Sequence, residues 1–496
     1  MLTWIDWAIV AAYAAGTIAM GWYYGRRRKT SQEYFLGSGR MSPMLIGVSS
    51  FATLLSTISY LSMPGEALGK GPAWMTNALA LPFIYLTVGY VLLPVYMRRK
   101  VTSAYELLED RLGLSIRLLG ASLFLILRLV WMALLIYLTA SALSVMTGLG
   151  PEAIPWIAAA AGFVAVVYAS VGGLQAVVVT DFVQACLLYG GALLVVGVVS
   201  YELGGLGWVP TSWDPNWDSQ PLFSWDPATR ITISGTLTSY FFWYVATAGG
   251  DQTTVQRFMA TQDAQAARRS MAFQVGSSGL TVVTLALVGF ALLGYFSTFP
   301  ERLGEGMTLA ANADEAFPYF IASQLPTGVT GLVVAAMFAA AMSSVDSGVN
   351  SITAVVRTDF VERLGWGKAS TTGAPKWTAF AIGAVVVAAS TTMGSVPGNI
   401  TAVTTKTSNL LTTPIFGLFF FALFVPWATT AGAWVGTICG TATAVLIAFS
   451  GPIFGLTAEG LDPVSFQWIA PTAITVDILA GCAASKWLPF GRKENA

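Results

Sequence analysis

The sequence predicts an all-α integral membrane protein with about thirteen transmembrane helices. Hydrophobic residues make up 55% of the 496 positions and charged residues only 10%, whereas a soluble domain carries about a quarter charged residues. Apolar segments of about 20 residues recur, and each is long enough to cross the roughly 30 Å hydrocarbon core of a bilayer. Basic residues gather in every second loop between these segments, as they do in membrane proteins.

The predicted spans follow one another with short connections. They lie near residues 2 to 24, 42 to 68, 74 to 97, 115 to 146, 152 to 171, 176 to 201, 231 to 250, 270 to 297, 315 to 353, 376 to 396, 400 to 425, 429 to 449 and 465 to 487. No small-residue cleavage site follows the first span, so it is predicted to be a retained anchor and not a signal peptide. The loop at 202 to 230 repeats Trp-Asp-Pro units, which favours a segment lying against the membrane interface.

The distribution of charge predicts the orientation. Most of the 25 Lys and Arg residues, Arg257 among them, fall in loops that share one side if the N-terminus is outside. Basic loops stay cytoplasmic, so we predict a plasma (inner) membrane protein with the N-terminus outside and the C-terminus cytoplasmic. An odd number of spans places the two termini on opposite sides of the membrane, which agrees with this arrangement.

Composition also excludes several classes of function. There is no His, so a catalytic triad or a His-ligated metal is excluded, and no nucleophile and base pair suggests an enzyme. The three Cys lie in apolar segments, where a thiol behaves as a small hydrophobe. Net charge is zero, and no basic patch indicates nucleic acid. No required protein partner is indicated.

The most informative stretch is Gly331 to Arg357, GLVVAAMFAAAMSSVDSGVNSITAVVR. Its first half is apolar, and its second half turns polar without a Pro. The polar positions are Ser343, Ser344, Asp346, Ser347, Asn350, Ser351 and Thr353. Residues three and four apart share a helical face, and polar groups at membrane depth are costly unless they face partners, water or an ion. Oxygen-only ligands suit a hard cation such as sodium.

The second span, Met41 to Leu68, has a similar character. From Ser49 to Ser62, seven Ser and Thr residues are mixed into its apolar sequence, and Pro64-Gly65 follows them. Such a segment can unwind locally, which leaves carbonyl groups free for a cation and hydroxyl groups free for a solute. Alternatively, the hydroxyls bond back to their own helix, but their number favours the functional interpretation.

Three charged residues inside spans each have two interpretations. Asp181, about two turns into a helix that follows a Gly-Gly turn, is either a cation ligand facing the polar stripe or a structural group, as a cap or as the partner of a loop arginine. Arg128 either extends to the cytoplasmic surface or pairs in the interior. Lys406, in a hydroxyl-rich span, either reaches the outer surface or faces a cavity.

The chain predicts one transmembrane domain, 1–496, with an internal repeat. An anchor helix at 1–30 precedes two five-span blocks, 42–201 and 231–425, and two helices at 429–487 follow. Because each block has an odd number of spans, the blocks insert with opposite orientation. This is the architecture of inverted-repeat transporters, whose site lies at the repeat interface.

Several motifs resemble the sodium/solute symporter family, and within it the sialic acid and the monocarboxylate or vitamin transporter branches. The likeness covers nearly the whole chain. Its motifs are RKTSQEYFLGSGRMSP, VTSAYELLEDR, YASVGGLQAVVVTD, DQTTVQRFMA and AAMFAAAMSSVDSGVNS. The resemblance implies a leucine-transporter-like five-plus-five inverted-repeat core with one N-terminal and two C-terminal extra helices. It also implies Na⁺ as the coupling ion.

The resemblance implies a sodium site made of carbonyl groups and hydroxyl groups. Its ligands would be the carbonyls of Ala52, Leu55 and Ala340 with the hydroxyls of Ser343 and Ser344. A possible second sodium would be held by Asp181, Asp346 and Ser347, where Asp346 replaces a serine of the sialic acid branch. Substrate would meet Ser56, Ser59, Asn77, Trp131, Tyr244, Thr247, Thr405 and Lys406.

The predicted function is sodium-coupled symport of a small polar organic solute into the cell by alternating access. The solute would be an organic acid, a sugar or a sugar acid. In sialic acid transporters an arginine binds the substrate carboxylate, and by resemblance Trp131 occupies that position here. An organic acid would therefore need another cation, for which Lys406 is the candidate. The presence of Lys406 slightly favours an organic acid over a neutral sugar. Two alternatives are a cation channel and a solute sensor with the same fold. No repeated filter loop indicates a channel, and no soluble signalling domain is expected that would indicate a sensor. The expected partners are sodium, the solute and the bilayer.

Overall fold

A computed structural model describes residues 2–27, 31–37, 39–215, 217–219, 221–309, 311–367, 374–393, 400–455 and 463–488. These residues form helices and connecting segments, and no strand occurs among them. The helices are α1 (Trp4–Arg27), α2 (Ser31–Leu36), α3 (Pro43–Leu54), α4 (Thr57–Gly69), α5 (Leu81–Thr87), α6 (Leu93–Tyr96), α7 (Glu106–Leu112), α8 (Leu114–Thr147), α9 (Ile154–Glu202), α10 (Ile233–Gly250), α11 (Gln252–Met259), α12 (Ala264–Thr298), α13 (Ala313–Ser323), α14 (Val329–Val355), α15 (Ala374–Thr392), α16 (Ile400–Phe424), α17 (Thr430–Ala448), α18 (Ser450–Ile453) and α19 (Ile469–Trp487). Short 3₁₀ or π segments lie at Pro72–Ala80, Val88–Leu92, Pro151–Ala153, Pro300–Arg302, Val356–Glu362 and Phe466–Trp468.

The described helices confirm the all-helical membrane class. Ten continuous helical runs, one of them the run Pro72–Tyr96 that contains α5 and α6, are long and apolar enough to cross a bilayer, and α3 with α4 adds an eleventh if the bent pair is one span. Two predicted spans, 152 to 171 and 176 to 201, run together as the 49 residues of α9, which is kinked at Gly173 with a φ of 61°. That positive φ explains the Gly at this turn. The number thirteen and the repeat layout stay predictions.

The second span is broken, as its hydroxyl-rich sequence predicts. Helices α3 and α4 meet at an angle of 68°. Leu55 has an extended backbone that ends α3, and the Ser56 side chain accepts a hydrogen bond from the Ser59 N–H to begin α4. The break leaves the last carbonyl groups of α3 without helical partners.

A second break separates α10 from α11. Asp251 has an extended backbone, and its side chain accepts from the Thr253 N–H to cap α11. The preceding Gly250 packs against α16 so closely that a Cβ atom there would lie 3.1 Å from the Phe416 backbone nitrogen. The break turns the short α11 back into the protein, and every residue of α11 is buried.

Helix α14 occupies the centre of the fold. It contacts α1, α3, α8, α9 and α15, and its residues from Ala339 to Val355 are all buried. A helix that is buried all round has no solvent face, so its polar side chains must find partners inside the protein. The C-terminal helices α17 and α19 pack mainly against each other and against α16.

Candidate functional site

The carboxyl end of α3 meets the polar half of α14 at a crossing made of neutral oxygen atoms. The Ser343 hydroxyl donates to the carbonyl oxygens of Ala52, at 2.9 Å, and of Ala340, at 3.1 Å. Leu55 ends α3 beside them and shares an apolar cluster with Ala52 and Ala340. The Ser344 hydroxyl also reaches α3. We call these five residues, Ala52, Leu55, Ala340, Ser343 and Ser344, the α3–α14 crossing.

The structure thus brings the predicted sodium ligands together, and it adds one carbonyl that sequence reasoning missed. The Ser344 hydroxyl donates to the Thr53 carbonyl at 3.0 Å. The Thr57 hydroxyl, just beyond the break, donates to the Met337 carbonyl at 3.2 Å. Carbonyl and hydroxyl oxygens without a carboxylate suit a hard monovalent cation. The residues present therefore fit sodium.

One turn further along α14 lies a charged cluster, in which Asp181 pairs with an arginine, one of the interpretations that the sequence left open. The Asp181 carboxylate accepts from the Ser49 hydroxyl at 2.5 Å and pairs with the Arg257 guanidinium at 3.1 Å. Arg257 also donates to Ser49 at 2.9 Å and to the Ser347 hydroxyl. Arg257 was expected in a loop, but it is only 1% exposed, because the break at Asp251 turns α11 inward.

Asp346 completes this cluster from the other side. Its carboxylate accepts from the Tyr168 hydroxyl at 2.5 Å and from the Ser347 hydroxyl at 3.1 Å. Ser347 therefore joins Asp346 to Arg257. We call the set Ser49, Tyr168, Asp181, Arg257, Asp346 and Ser347 the Arg257 cluster. The three residues predicted for a second sodium do come together, and the cation beside Asp181 and Ser347 is a guanidinium of the chain itself.

A cavity of about 160 Å³ lies between the broken helices, α8, α12 and α16. Among its described lining residues none is Asp, Glu, Lys or Arg. The lining consists of Phe51, Leu54, Leu55, Ser59, Ser62, Met63, Trp74, Asn77, Trp131, Ser239, Tyr240, Trp243, Tyr244, Ser278, Thr281, Val282, Thr404, Thr405, Ser408 and Asn409. Hydroxyl and amide groups alternate with aromatic rings, so the cavity can hydrogen-bond and stack without supplying a net charge.

Five of the eight predicted substrate positions line this central cavity, namely Ser59, Asn77, Trp131, Tyr244 and Thr405. Of the other three, Thr247 lines a smaller adjoining cavity of about 40 Å³. Ser56 is buried as the cap of α4. Lys406 is half-buried and is not among the described residues that line either cavity.

The adjoining cavity contains a buried ion pair. Arg128 of α8 pairs with Asp251, the cap of α11, and the two residues are 6% and 3% exposed. Of the two interpretations of Arg128, the structure shows the interior pair. Because each charge compensates the other, this pair adds no net charge to the cavity wall.

Two further ion-pair clusters lie at opposite ends of the span Pro72–Tyr96. Before it, Arg230 donates to both carboxylate oxygens of Glu66, at 2.8 and 3.0 Å. Beyond it, Arg117 pairs with Asp359 at 2.7 Å and with Glu109 at 2.8 Å. A hydrogen bond from Arg363, with the charge of Arg117, lowers the pKa of Glu109 to about 2. The helices that enclose the cavity are thus tied together at both ends.

Comparison with known proteins agrees with this arrangement. The sequence profile of the Sodium:solute symporter family matches residues 34–440. The sodium/sialic acid symporter SiaT of Proteus mirabilis (strain HI4320) is 28% identical over 442 residues, which are 88% of this chain and 87% of that protein. The human sodium-coupled monocarboxylate transporter 1 is 26% identical over 471 residues, covering 92% of this chain and 75% of that protein.

Solved structures give the same picture. The substrate-bound outward-open state of a Na⁺-coupled sialic acid symporter superposes with a TM-score of 0.84 at 27% identity, and it covers 98% of both chains. Mhp1, a nucleobase-cation-symport-1 family transporter, superposes with a TM-score of 0.53 at 12% identity over 92% of this chain and 94% of its own. The second likeness concerns the fold alone.

Proposed function

Because the chain belongs to the sodium:solute symporter family, we propose that it uses a sodium gradient to take up a small, neutral, hydroxyl-bearing solute. The family match confirms the predicted resemblance and makes sodium the coupling ion. It supports transport over the two alternatives, a cation channel and a solute sensor. The N-terminus would lie outside and the C-terminus in the cytoplasm, as the basic loops predict.

The α3–α14 crossing is the observation that carries the proposal. It joins the broken helix of the first predicted repeat to the polar helix of the second, and the hydroxyls of Ser343 and Ser344 contact the carbonyl oxygens of Ala52, Ala340 and the neighbouring Thr53 there. A bound sodium would hold α3 against α14, and the cavity begins directly beyond the break at Leu55. Sodium would therefore stabilise the same arrangement of helices that forms the solute site, so each ligand would improve binding of the other.

The two ion-pair clusters at opposite ends of the span Pro72–Tyr96 support alternating access. Glu66 and Arg230 connect α4 to the segment before α10, while Arg117 and Asp359 connect α8 to the end of α14. Each pair crosses between segments that must separate when its end of the cavity opens. We propose that the Glu66–Arg230 pair acts at the outer end and the Arg117–Asp359 pair at the inner end.

The cavity lining favours a neutral solute. The amide oxygens of Asn77 and Asn409 are buried and accept no hydrogen bond from the described residues, so both are available to hydroxyl donors. The rings of Trp74, Trp131 and Trp243 can cover the apolar face of a sugar or polyol. An anion would meet mostly neutral dipoles there, and it would compete with Asp251 for Arg128.

This proposal reverses the slight preference for an organic acid. That preference depended on Lys406 facing the cavity, and the absence of Lys406 from the described lining residues, which include the neighbouring Thr405, supports the neutral class instead. The names of the two relatives refer to anionic solutes, sialic acid and monocarboxylates. This chain is only 28% and 26% identical to them, so its solute can differ from theirs.

Sodium-dependent uptake into proteoliposomes tests the proposal. The panel contains the neutral probes D-glucose, D-xylose and myo-inositol and the anionic probes lactate and N-acetylneuraminate. We expect an inward sodium gradient to accelerate uptake of at least one neutral probe at least tenfold and to leave both anions unchanged. Sodium-driven uptake of the anions alone would overturn the neutral class while keeping symport, whereas uptake of every probe at the same rate without sodium would overturn symport itself.

A further inference from the structure

The C-terminal helix α19 carries a carboxyl group in the middle of a membrane span. Asp477 is fully buried and lies within Phe466–Trp487, one of the helices long and apolar enough to cross a bilayer. It lies outside both predicted repeats, and it is not among the described residues that line either cavity. An ionisable side chain at this depth is costly and usually marks a function.

Three glycines on two neighbouring helices make room for this side chain. A Cβ atom added to Gly417 of α16 would overlap the carboxyl group of Asp477. A Cβ atom on Gly436 of α17 would lie 2.5 Å from Oδ1, and one on Gly440, a turn further, would lie 2.7 Å from the Asp477 Cβ. The carboxyl group therefore fills the junction where α16, α17 and α19 come closest, and we call these four residues the Asp477 junction.

The Asp477 carboxyl group has no partner within the part of the chain that the structure describes. Neither of its oxygens accepts a hydrogen bond there. The helices in contact with α19 are α10, α16 and α17, and the only Lys, Arg, Asp or Glu on the described residues of these helices is Lys406. It lies 11 residues before Gly417, about 16 Å along α16.

Other titratable groups on these helices are neutral or distant. Helix α19 itself adds Lys486, nine residues and about 13 Å from Asp477, and Cys482. Helix α17 adds Cys439, and α10 adds Tyr240 and Tyr244. None of the groups close to Asp477 can compensate a negative charge.

The helix backbones around Asp477 offer acceptors rather than donors. Each backbone N–H inside a helix is already used by the carbonyl four residues earlier, whereas each helix carbonyl keeps a second lone pair. A carboxylate needs donors, while a carboxylic acid needs one acceptor for its O–H. We propose that the Asp477 junction is a proton-binding site, in which Asp477 is a neutral acid that donates to a helix carbonyl.

The bound proton would hold together two parts of the protein. Gly417 lies eight residues beyond Asn409, so the junction is about 12 Å along α16 from the solute cavity. A neutral Asp477 packs α16 tightly against the C-terminal pair α17 and α19. Loss of the proton would place an uncompensated charge at this contact and loosen it, with sodium and solute playing no part in the step.

Infrared absorption of the purified full-length protein tests the protonation directly. At neutral pH, the spectrum of the wild type minus that of Asp477→Asn should show the carbonyl stretch of a protonated carboxylic acid and no ionised carboxylate band. The matched control is Asp226→Asn, because Asp226 is an exposed aspartate in the loop before α10. Its difference spectrum should show the ionised band.

An ionised carboxylate band in the Asp477→Asn difference spectrum would overturn the proposal. If Asp477→Asn does not accumulate as folded protein, Asp477→Ser supplies the difference spectrum, because serine is smaller and can donate to a helix carbonyl.

Thermal unfolding against pH tests what the proton does. Its stabilisation is present while the proton is bound and is lost as rising pH removes it. The melting temperature of the wild type should therefore fall more steeply toward alkaline pH than that of Asp477→Asn, which has no proton to lose there. Parallel curves for the two proteins would overturn the claim that the proton holds the junction together.

Discussion

Two polar sites lie one turn apart on α14, and their buried polar groups find different kinds of partner. At the α3–α14 crossing, the hydroxyls of Ser343 and Ser344 donate to backbone carbonyls, and no charged side chain takes part. In the Arg257 cluster, Asp181 and Asp346 are carboxylates, and the Arg257 guanidinium contacts Asp181 and Ser347.

The difference concerns where the positive charge comes from. In the proposed function, a cation from solution would bind to the neutral oxygens of the crossing and leave them again, since each hydroxyl can turn its lone pairs toward the ion. In the Arg257 cluster the cation is the guanidinium of Arg257, which is part of the chain and cannot leave. Breaking a buried pair leaves a charge uncompensated and costs about 3–5 kcal/mol, so a cluster of this kind suits a permanent structural role.

The largest effect should come from removing a ligand at the crossing. Ser343→Ala and Ser344→Ala should each abolish sodium-dependent uptake while leaving a folded protein, because each change removes one of five candidate ligand oxygens. Uptake into proteoliposomes with and without a sodium gradient measures this effect, and size-exclusion chromatography checks the fold.

The matched control for these changes is Thr353→Val on the same helix. Its hydroxyl donates at 2.6 Å to the Val349 carbonyl of its own helix, so its loss should leave sodium dependence intact. Wild-type sodium dependence in both serine variants would show that the crossing is not the sodium site.

The next largest effect concerns stability and belongs to the Arg257 cluster. Arg257→Gln should lower the free energy of unfolding by about 3–5 kcal/mol, because it removes the buried partner of Asp181. The double change with Asp181→Asn should recover most of the loss. Arg302→Gln is the control, since its pair with Glu202 is exposed and should matter little.

Denaturation in detergent, followed by tryptophan fluorescence, measures these stabilities. If Arg257→Gln unfolds at the same denaturant concentration as the wild type, the guanidinium does not stabilise the fold, and the comparison between the two sites loses its basis.

A smaller effect separates two neighbouring serines of α3. Ser49 donates to Asp181 and accepts from Arg257, whereas the buried hydroxyl of Ser50 has no partner among the described residues. Hydrogen bonds to charged groups contribute about 1.5–3 kcal/mol, so Ser49→Ala should destabilise by that amount. Ser50→Ala should be neutral or slightly stabilising in the same denaturation assay, and equal effects would argue against a special role for Ser49.

The sequence predicted the residues of the crossing, and it allowed an arginine beside Asp181, but it could not identify Arg257 as that arginine, for a physical reason. The hydroxyl run of α3 and the polar half of α14 are local patterns, and the family resemblance pairs them. Arg257 lies in α11, a short polar helix that looks like a loop in the sequence, and its partner Asp181 is 76 residues away. Nothing local indicates that the break at Asp251 turns this helix inward.

The direction of long cationic side chains is the second feature that the sequence could not predict. Both Arg128 and Lys406 lie inside spans, and a hydropathy pattern does not say which way a long cationic side chain extends. Arg128 finds Asp251, which is 123 residues away, while Lys406 stays outside the cavity lining. The signal that could have placed Arg128 is the buried aspartate at the second helix break, because a capping carboxylate at membrane depth needs a counter-charge.

The last prediction concerns the number of sodium ions that bind. Here we expect Asp181→Asn to leave the Hill coefficient for sodium unchanged. If Asp181 and Asp346 shared a second sodium, the Hill coefficient for sodium would be near two and Asp181→Asn would lower it toward one. In the structure, Arg257 already binds both Asp181 and Ser347, two of the three candidate ligands. We therefore expect a wild-type coefficient near one that Asp181→Asn leaves unchanged.

Initial uptake rates over a range of sodium concentrations give the coefficient, and rates are normalised to folded protein because Asp181→Asn also disturbs the ion pair with Arg257. Asp6→Asn serves as the control. The Asp6 carboxylate accepts at 2.8 Å from the backbone N–H groups of Gly328 and Gly331, at the beginning of α14 and about three turns before its polar half. A wild-type coefficient near two that falls to one only in Asp181→Asn would mean that sodium displaces the guanidinium, and the two sites of α14 would then both bind ions.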